Sequence, residues 1–288
     1  MRLRRLSSLS EPALAEAGLG NGSVPLAGGT DLVPLLRDGL LTADTLVDVR
    51  PVVPRGVTPY DGGVRIGAGT TLAELEHAAE DAVPAVLREA CRLAASPQIR
   101  AMGSIGGNLL QATRCWYWRL GHACWLAGGE RCLARDGRSD EHAIFGNAHC
   151  GSAHPSDIAA ALLALGTTVR TTRRELPLAE LYRLATEDDR SVTTLERGEL
   201  LLELEVPRPD ASTYLKAMDR KRYAFPIVGV AAARFGGDVR VALAGVAPIP
   251  WSLDTDAGLT DATPLPGSAF KVQVAEALVR RAREAVTG

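Results

Sequence analysis

Short apolar runs that end in glycine-rich turns dominate the first part of the chain. The run 23–27 breaks at a glycine pair and is followed by a helical pattern over 31–37. The run 64–67 leads through a second glycine loop to Thr71 and Glu74, a T-x-x-E pair typical of a helix start. Both stretches therefore predict a strand, a glycine loop and a helix in that order.

Further helices are predicted by apolar spacing and by capping residues. The stretch 83–95 has a helical pattern, and Ser156 precedes a second apolar helix that Gly166 ends. Between these helices, residues 112–150 are polar, aromatic and rich in cysteine, with no clear period. A segment of that length in a compact domain usually carries a function or an internal staple, so we interpret it as an inserted loop.

The last part of the chain has a different pattern of apolar residues, which indicates a separate domain. Apolar runs of strand length recur, and a glycine pair followed by Asp238 separates the last two, as in a hairpin turn. An amphipathic helix over 270–286 ends the chain. The predicted strands are 200–206, 213–218, 227–234 and 239–246. This pattern predicts an antiparallel sheet backed by helices.

The predicted fold class is α+β, in three parts. A proline-rich stretch over 49–59 reads as a linker. The parts predicted are an α/β subdomain over 1–55, a second subdomain over 56–170 that contains the insertion 112–150, and a C-terminal α+β domain over 171–288.

Composition narrows the classes of function. The chain has 288 residues and a formal net charge of −2, so it offers no basic surface for a nucleic acid. Nothing approaches the roughly 18 consecutive apolar residues of a membrane span, and the N-terminus lacks the apolar run of a signal peptide. We expect no nucleic-acid partner, no membrane insertion and a cytoplasmic location, or a periplasmic one through an exported partner.

Three glycine loops precede predicted helix starts, over 27–31, 67–71 and 103–108. Exposed N–H groups at a helix start favour a phosphate, and glycine lets a backbone approach it closely. None of the loops matches the dinucleotide or Walker fingerprints, and each alone is better explained as an ordinary turn. Their repetition favours a phosphate-bearing cofactor.

Four of the five cysteines lie in the insertion, at Cys115, Cys124, Cys132 and Cys150, separated by 8, 7 and 17 residues. This spacing matches neither a ferredoxin run nor a zinc ribbon. Four soft ligands in one segment leave an iron–sulfur cluster, a zinc ion and an incidental or disulfide role open. Cys91, inside the helix pattern, is interpreted as a buried structural thiol.

The glycine motifs together carry a specific resemblance. LAGGTDL (26–32), IGAGTTLAEL (66–75), GSIGGNLLQ (103–111) and HPSD (154–157) resemble the FAD-binding subunits of the xanthine dehydrogenase and aldehyde oxidase family of molybdenum hydroxylases. The resemblance extends over nearly the whole chain. It implies a two-subdomain FAD-binding domain, of the type also found in vanillyl-alcohol oxidase, followed by an antiparallel α+β domain.

The resemblance also implies roles for individual residues. The first loop would wrap the FAD pyrophosphate, the loop from Gly103 would lie along diphosphate and flavin, and Asp157 would accept hydrogen bonds from ribityl or ribose hydroxyls. Lys216 or Arg220 would place a cation near the isoalloxazine ring. The cofactor-binding residues expected are Leu26, Ala27, Gly28, Gly29, Thr30, Asp31, Leu32, Gly103, Ser104, Gly107, Asn108, Asp157, Lys216 and Arg220.

Most members of the family lack the cysteine insertion. The stretches TRCWYWR and HAIFGNAHCGSAHPSD resemble a subset that includes the 4-hydroxybenzoyl-CoA reductase β subunit and periplasmic aldehyde oxidoreductase FAD subunits. In that subset the four cysteines hold a [4Fe–4S] cluster, which the resemblance therefore implies for this chain. The neighbouring histidines, among them His142 and His154, are then expected to surround the ligands rather than to bind the metal.

The function implied is that of an FAD-binding electron-transfer subunit in an aldehyde, xanthine or aromatic-compound hydroxylase or dehydrogenase. Its partners would be a large molybdopterin subunit and a small subunit with [2Fe–2S] clusters, as a heterotrimer or its dimer. No nucleophile or acid–base dyad is evident, as expected when the cofactor supplies the chemistry. Two alternatives are a stand-alone FAD-dependent oxidoreductase and a zinc-stapled binding module without flavin.

Overall fold

A computed structural model of the chain describes residues 1–254 and 258–288. The first part is a three-stranded parallel sheet in the order β1-β3-β2, with a helix in each connection. Its elements are β1 (Arg2–Arg5), α1 (Glu11–Glu16), β2 (Ser23–Leu26), α2 (Leu32–Arg37) and β3 (Thr45–Asp48). β1 is an exposed edge strand of sequence RLRR, so it lacks the apolar alternation by which a strand is predicted.

The second part is a five-stranded antiparallel sheet in the order β4-β5-β8-β6-β7. Its strands are β4 (Val57–Tyr60), β5 (Gly63–Gly67), β6 (Thr168–Thr171), β7 (Glu175–Pro177) and β8 (Leu201–Pro207). The helices between β5 and β6 are α3 (Leu72–Glu76), α4 (Ala85–Leu93), α5 (Pro97–Met102), α6 (Ile105–Leu109), α7 (Trp116–Arg119) and α8 (Asp157–Ala164). α8 is almost wholly buried and joins this part to the next.

The third part is a four-stranded antiparallel sheet in chain order, covered by the terminal helix. Its elements are β9 (Ala211–Ala217), β10 (Val228–Phe235), β11 (Asp238–Ala244), β12 (Trp251–Leu253) and α9 (Phe270–Thr287). Phe235 pairs with Asp238, which confirms the predicted hairpin turn at the intervening glycines. The mixed α+β fold with antiparallel sheets in the C-terminal region is as predicted.

A single sheet continues across the domain boundary that is predicted after residue 170. β6 spans that position, and β7 and β8 pair within the same sheet as β4 and β5. β8 lies far along the chain from its partner β5, and pairing over such a distance leaves no local signal in the sequence. We propose instead that the last domain begins after Pro207.

Side-chain caps set the helix starts around the centre of the molecule. Thr71 accepts a hydrogen bond from the N–H of Glu74, whose carboxylate accepts from the N–H of Thr71, which confirms the predicted capping box. Ser104 caps α6 and Ser156 caps α8 through hydroxyls that accept from the N–H groups of Gly107 and Ala159, without a reciprocal side-chain bond. Among the described helices, none is both long and apolar enough to cross a membrane.

Candidate flavin pocket and cysteine site

A cavity of about 660 Å³ lies where the three glycine loops meet, between the parallel sheet and the helices that follow β5. Its size is within the range of small-molecule and cofactor sites. Most of the predicted cofactor residues line it: Ala27, Gly28, Gly29, Thr30, Asp31, Leu32, Gly103, Ser104, Gly107, Asn108 and Asp157. Segments far apart in sequence thus converge on one cavity.

The first glycine loop requires glycine for steric reasons. A Cβ on Gly28 would lie 1.8 Å from the carbonyl oxygen of Met102, and Gly29 has a φ of +72°. In the described part of the chain, we find no acceptor for the backbone N–H groups of Gly28, Gly29 and Thr30. N–H groups that face a cavity without acceptors suit the oxygens of a pyrophosphate.

The third glycine loop is held from both sides. The Ser104 hydroxyl accepts from the N–H of Gly107 at 3.2 Å, and a Cβ on Gly106 would contact Ala68 at 3.0 Å. The Ser156 hydroxyl donates to Asn108 Oδ1 at 2.5 Å while it accepts from the N–H of Ala159. The loop, the second glycine turn and the start of α8 therefore form one rigid wall of the cavity.

Asp157, at the start of α8, is buried and accepts hydrogen bonds from two side chains. Its Oδ1 accepts from the Tyr214 hydroxyl at 2.5 Å and its Oδ2 from Lys216 Nζ at 2.9 Å. Burial raises the pKa of Asp157, although Lys216 and Tyr214 both stabilise the carboxylate. Each oxygen keeps a further lone pair, so the carboxylate can still accept from a hydroxyl in the cavity.

Three predicted cofactor residues, Leu26, Lys216 and Arg220, are not among the described residues that line the cavity. The side chain of Lys216 is fully buried, and its amine donates to Asp157 and to the carbonyl oxygens of Leu93 and Ala224. Arg220 is exposed and donates to the carbonyl oxygen of Tyr223. Lys216 acts on the pocket indirectly, through Asp157.

The arginines that line the cavity are others, which the sequence did not indicate: Arg50, Arg55 and Arg114. Arg50 and Arg55 are largely exposed and paired with Asp48 and Glu74. Arg114 is different, because its side chain is 27% exposed, pairs with Asp31 at 2.8 Å and lies 4.9 Å from the ring centre of Phe225. The one sequence feature that could have pointed to Arg114 is its position immediately before Cys115.

The four predicted metal cysteines line one small cavity of about 10 Å³, together with Trp118, Trp125 and Ser152. Cys124 and Cys132 are buried, and Cys115 and Cys150 are half-buried. The segment has little regular structure, so short turns and its aromatic packing bring the thiols together. Cys91 lies elsewhere and is fully buried inside α4, as predicted.

Hydrogen bonds at the cysteine site favour a thiolate. Donation from the Cys150 thiol, and then from the N–H groups of Gly151 and Ala134, lowers the pKa of Cys132 to about 5. The Cys115 sulfur lies 3.2 Å from His142 Nε2. Burial lowers the pKa of His142 to about 4, so this imidazole is neutral at pH 7.

The four thiols line one space but are not drawn together into a formed metal site. In the described part of the chain, no three side chains of His, Cys, Asp or Glu are grouped closely enough to hold a metal ion. The chemistry of the donor set, four thiols with N–H donors to the Cys132 sulfur and Trp125 buried beside them, is of the kind that a four-cysteine cluster can use. The cavity has room for about one water molecule, so a larger group requires the segment to rearrange.

Comparison with known proteins agrees with this geometry. Residues 5–209 match the family model described as the FAD binding domain in molybdopterin dehydrogenase. The chain belongs to this family. It is 37% identical over 259 residues to the aldehyde oxidoreductase FAD-binding subunit PaoB of Escherichia coli (strain K12), covering 83% of this chain and 81% of that protein. As a member, the chain is an FAD-binding subunit of an oxidoreductase complex.

Other relatives match in part or in fold. The carbon monoxide dehydrogenase medium chain of Afipia carboxidovorans is 38% identical over 110 residues, 36% of this chain and 37% of that one. A solved structure of reconstituted CO dehydrogenase from Oligotropha carboxidovorans gives a TM-score of 0.71 at 24% identity, covering 99% of this chain and 97% of the other. The solved structure of quinoline 2-oxidoreductase from Pseudomonas putida 86 gives a TM-score of 0.64 at 21% sequence identity. These last two likenesses concern the fold.

Proposed function

We propose that this chain carries electrons between a molybdenum-containing partner and an external acceptor, with FAD in the 660 Å³ cavity and a [4Fe–4S] cluster on the four cysteines. The observation that carries the proposal is that two separate sites meet at residues 112–119. The flavin cavity is lined by Ala112 and Arg114, and the cysteine site begins at the next residue, Cys115. Adjacent redox groups are what an electron-transfer subunit requires.

FAD is supported by the backbone of the cavity. The N–H groups of the first glycine loop have no acceptor among residues 1–254 and 258–288, and together with the close approach at Gly28 they suit a pyrophosphate. We assign the phosphate to residues 27–30 and to Gly107, and the hydroxyl-bearing linker of FAD to Asn108 and Asp157. When bound, FAD supplies the exchange of one or two electrons, while the chain orients it and shields it from water.

The cluster is supported by the donor set and by the sequence resemblance. The matching family description names FAD and no cluster, so this part of the proposal depends on the four thiols and on the resemblance of the insertion. Cys115, Cys124, Cys132 and Cys150 would be the ligands. Trp125, which stacks on His149 at 5.2 Å, would cover one side. A cluster there supplies one-electron transfer at a potential that hydrogen bonds to the sulfurs adjust.

The partners proposed are a large subunit that holds molybdopterin and substrate and a small subunit that holds [2Fe–2S] clusters. Of the substrate classes aldehyde, xanthine and aromatic compound, the name of the relative PaoB favours an aldehyde. Since substrate would bind in the large subunit, the residues of this chain do not select it.

The experiment is anaerobic purification of the chain, followed by its visible spectrum and analysis for iron and zinc. The proposal predicts flavin absorption with a broad iron–sulfur shoulder that dithionite bleaches. Flavin with zinc and no iron would exclude the cluster, and a colourless protein would exclude both redox cofactors. Co-expression with a molybdopterin-binding large subunit and a [2Fe–2S] small subunit of this family should yield one complex. A flavoprotein that instead oxidises a small substrate alone would favour the stand-alone oxidoreductase.

A further inference from the structure

The carboxylate of Asp31 joins the flavin cavity to the cysteine segment. Asp31 belongs to the first glycine loop and lines the cavity. Its oxygens accept from the backbone N–H of Ala112 at 2.8 Å, from Arg114 Nη1 at 2.8 Å and from Arg119 Nη2 at 2.9 Å. All three donors belong to the segment that carries the cysteines.

Asp31 does not cap the helix that follows it. Asp31 is the residue before α2, where a carboxylate commonly caps the helix, but its side chain makes no capping hydrogen bond. The carboxylate turns to residues more than 80 positions away. Its 18% exposure protects these charge-assisted bonds from solvent screening.

The three donors lie on both sides of Cys115. Arg119 closes the turn around this cysteine, since its N–H donates to the carbonyl oxygen of Cys115 at 2.9 Å and its Nε to that of Thr113 at 2.7 Å. Its Nη2 then reaches Asp31. The path from the cysteine to the glycine loop therefore consists of direct hydrogen bonds.

Arg114 connects the same carboxylate to the cavity itself. Its guanidinium lies over Phe225, which also lines the cavity, and its buried Nε has no partner within the described residues. Asp31 therefore holds the Arg114 guanidinium at the cavity wall, where it can approach the phosphates of a dinucleotide.

We propose that Asp31 is a positioning residue that links the two sites, so that FAD binding orders the Cys115 turn and an ordered turn tightens FAD binding. The proposal rests on the proposed function for the presence of FAD. By reciprocity, each event changes the other by the same factor. Couplings of this kind are typically about 5- to 150-fold, and we expect about tenfold here.

The test is Asp31→Asn, which keeps the shape of the side chain and removes its charge. Asp140→Asn is the matched control, because Asp140 forms a 2.7 Å ion pair with Arg138 in the same segment and is not among the described residues lining the cavity. FAD affinity is measured by flavin fluorescence, and hydrogen exchange of the peptide 112–121 is measured by mass spectrometry with and without FAD.

We expect FAD to slow exchange of 112–121 about tenfold in the wild type and in Asp140→Asn, and to have little effect in Asp31→Asn. Arg119→Gln is a second variant, in case Asp31→Asn does not fold. Arg119 is not among the described residues that line the cavity, so weaker FAD binding in this variant must act through the segment.

Equal protection of 112–121 in Asp31→Asn, or unchanged FAD affinity in Arg119→Gln, would overturn the link. Wild-type protein that binds FAD without protecting 112–121 would overturn it as well, while the proposed function stands. Wild-type protein that binds no FAD would instead refute the proposed function.

Discussion

The flavin cavity and the cysteine site are built in opposite ways. The cavity is formed by backbone at the ends of regular elements, where steric fit at Gly28 and caps at Ser104 and Ser156 hold the loops. The cysteine site is formed by side chains on a segment with one four-residue helix and short turns. A backbone site tolerates few changes in glycine, whereas a side-chain site depends on its ligands and their neighbours.

The difference also separates the two cofactors. The flavin cavity has a volume of about 660 Å³, the size of a cofactor site, and borders N–H groups that have no acceptor among the described residues. The thiols surround a space of only about 10 Å³. Binding of the proposed cluster would therefore be coupled to rearrangement of its segment, as is common for metal sites. The following predictions sharpen this contrast.

The largest effect is expected from removing thiol ligands. Each single Cys→Ser change at Cys115, Cys124, Cys132 or Cys150 should abolish iron binding, because a cluster of this type needs all four ligands. FAD should be retained with an affinity about tenfold weaker, through the coupling described above. Iron and flavin analysis of the purified variants checks this. Cys91→Ala, inside α4, should keep its iron, and loss of iron there would contradict the assignment.

Gly28→Ala should impair FAD binding and leave the cysteine site intact. The added Cβ would lie 1.8 Å from the Met102 carbonyl oxygen, so the loop must move away from the cavity wall. We expect FAD affinity to fall at least about 100-fold, with iron retained. Titration with FAD measures the effect. Gly237→Ala, where a Cβ meets no atom within 4 Å, is the matched control and should bind FAD normally.

Acid should destabilise the fold around His154, which lies between Cys150 and the start of α8. Burial lowers the pKa of His154 to about 4, so the unfolded chain binds more protons than the native one between pH 6.5 and pH 4. Stability is therefore complete above pH 6.5 and is lost as pH falls, by about 2 kcal/mol between pH 7 and pH 5. His154→Phe should remove that part of the decline in urea unfolding.

The smallest effect is expected at a helix cap. Ser104→Ala removes the acceptor for the N–H of Gly107, which costs about 1 kcal/mol of unfolding free energy. FAD affinity should fall less than in Gly28→Ala because the backbone path of the loop is kept. Thermal unfolding and FAD titration of the two variants test this order. A larger loss of FAD affinity in Ser104→Ala than in Gly28→Ala would contradict the backbone account.

The sequence predicted what local patterns encode. The strands around the glycine loops, the capping box at Thr71 and the hairpin turn before Asp238 all have local signals, and the structure contains them. The pairing of β8 with β5 and the position of Arg114 depend on contacts between distant residues, for which no local pattern exists. Lys216 illustrates what a local pattern leaves undetermined. The sequence predicts a cation near the cofactor, but the amine of Lys216 donates to Asp157 and does not face the cavity.

The most direct test of the account is a count of the electrons that the purified chain accepts. In an anaerobic dithionite titration followed by visible absorption, one FAD and one [4Fe–4S] cluster should together take about three electrons per chain. A variant in which Cys115, Cys124, Cys132 and Cys150 are all changed to serine should take about two, all in the flavin bands. A wild-type chain that accepts only two electrons would show that the cysteine site holds no redox cluster, and one that accepts none would contradict the account as a whole.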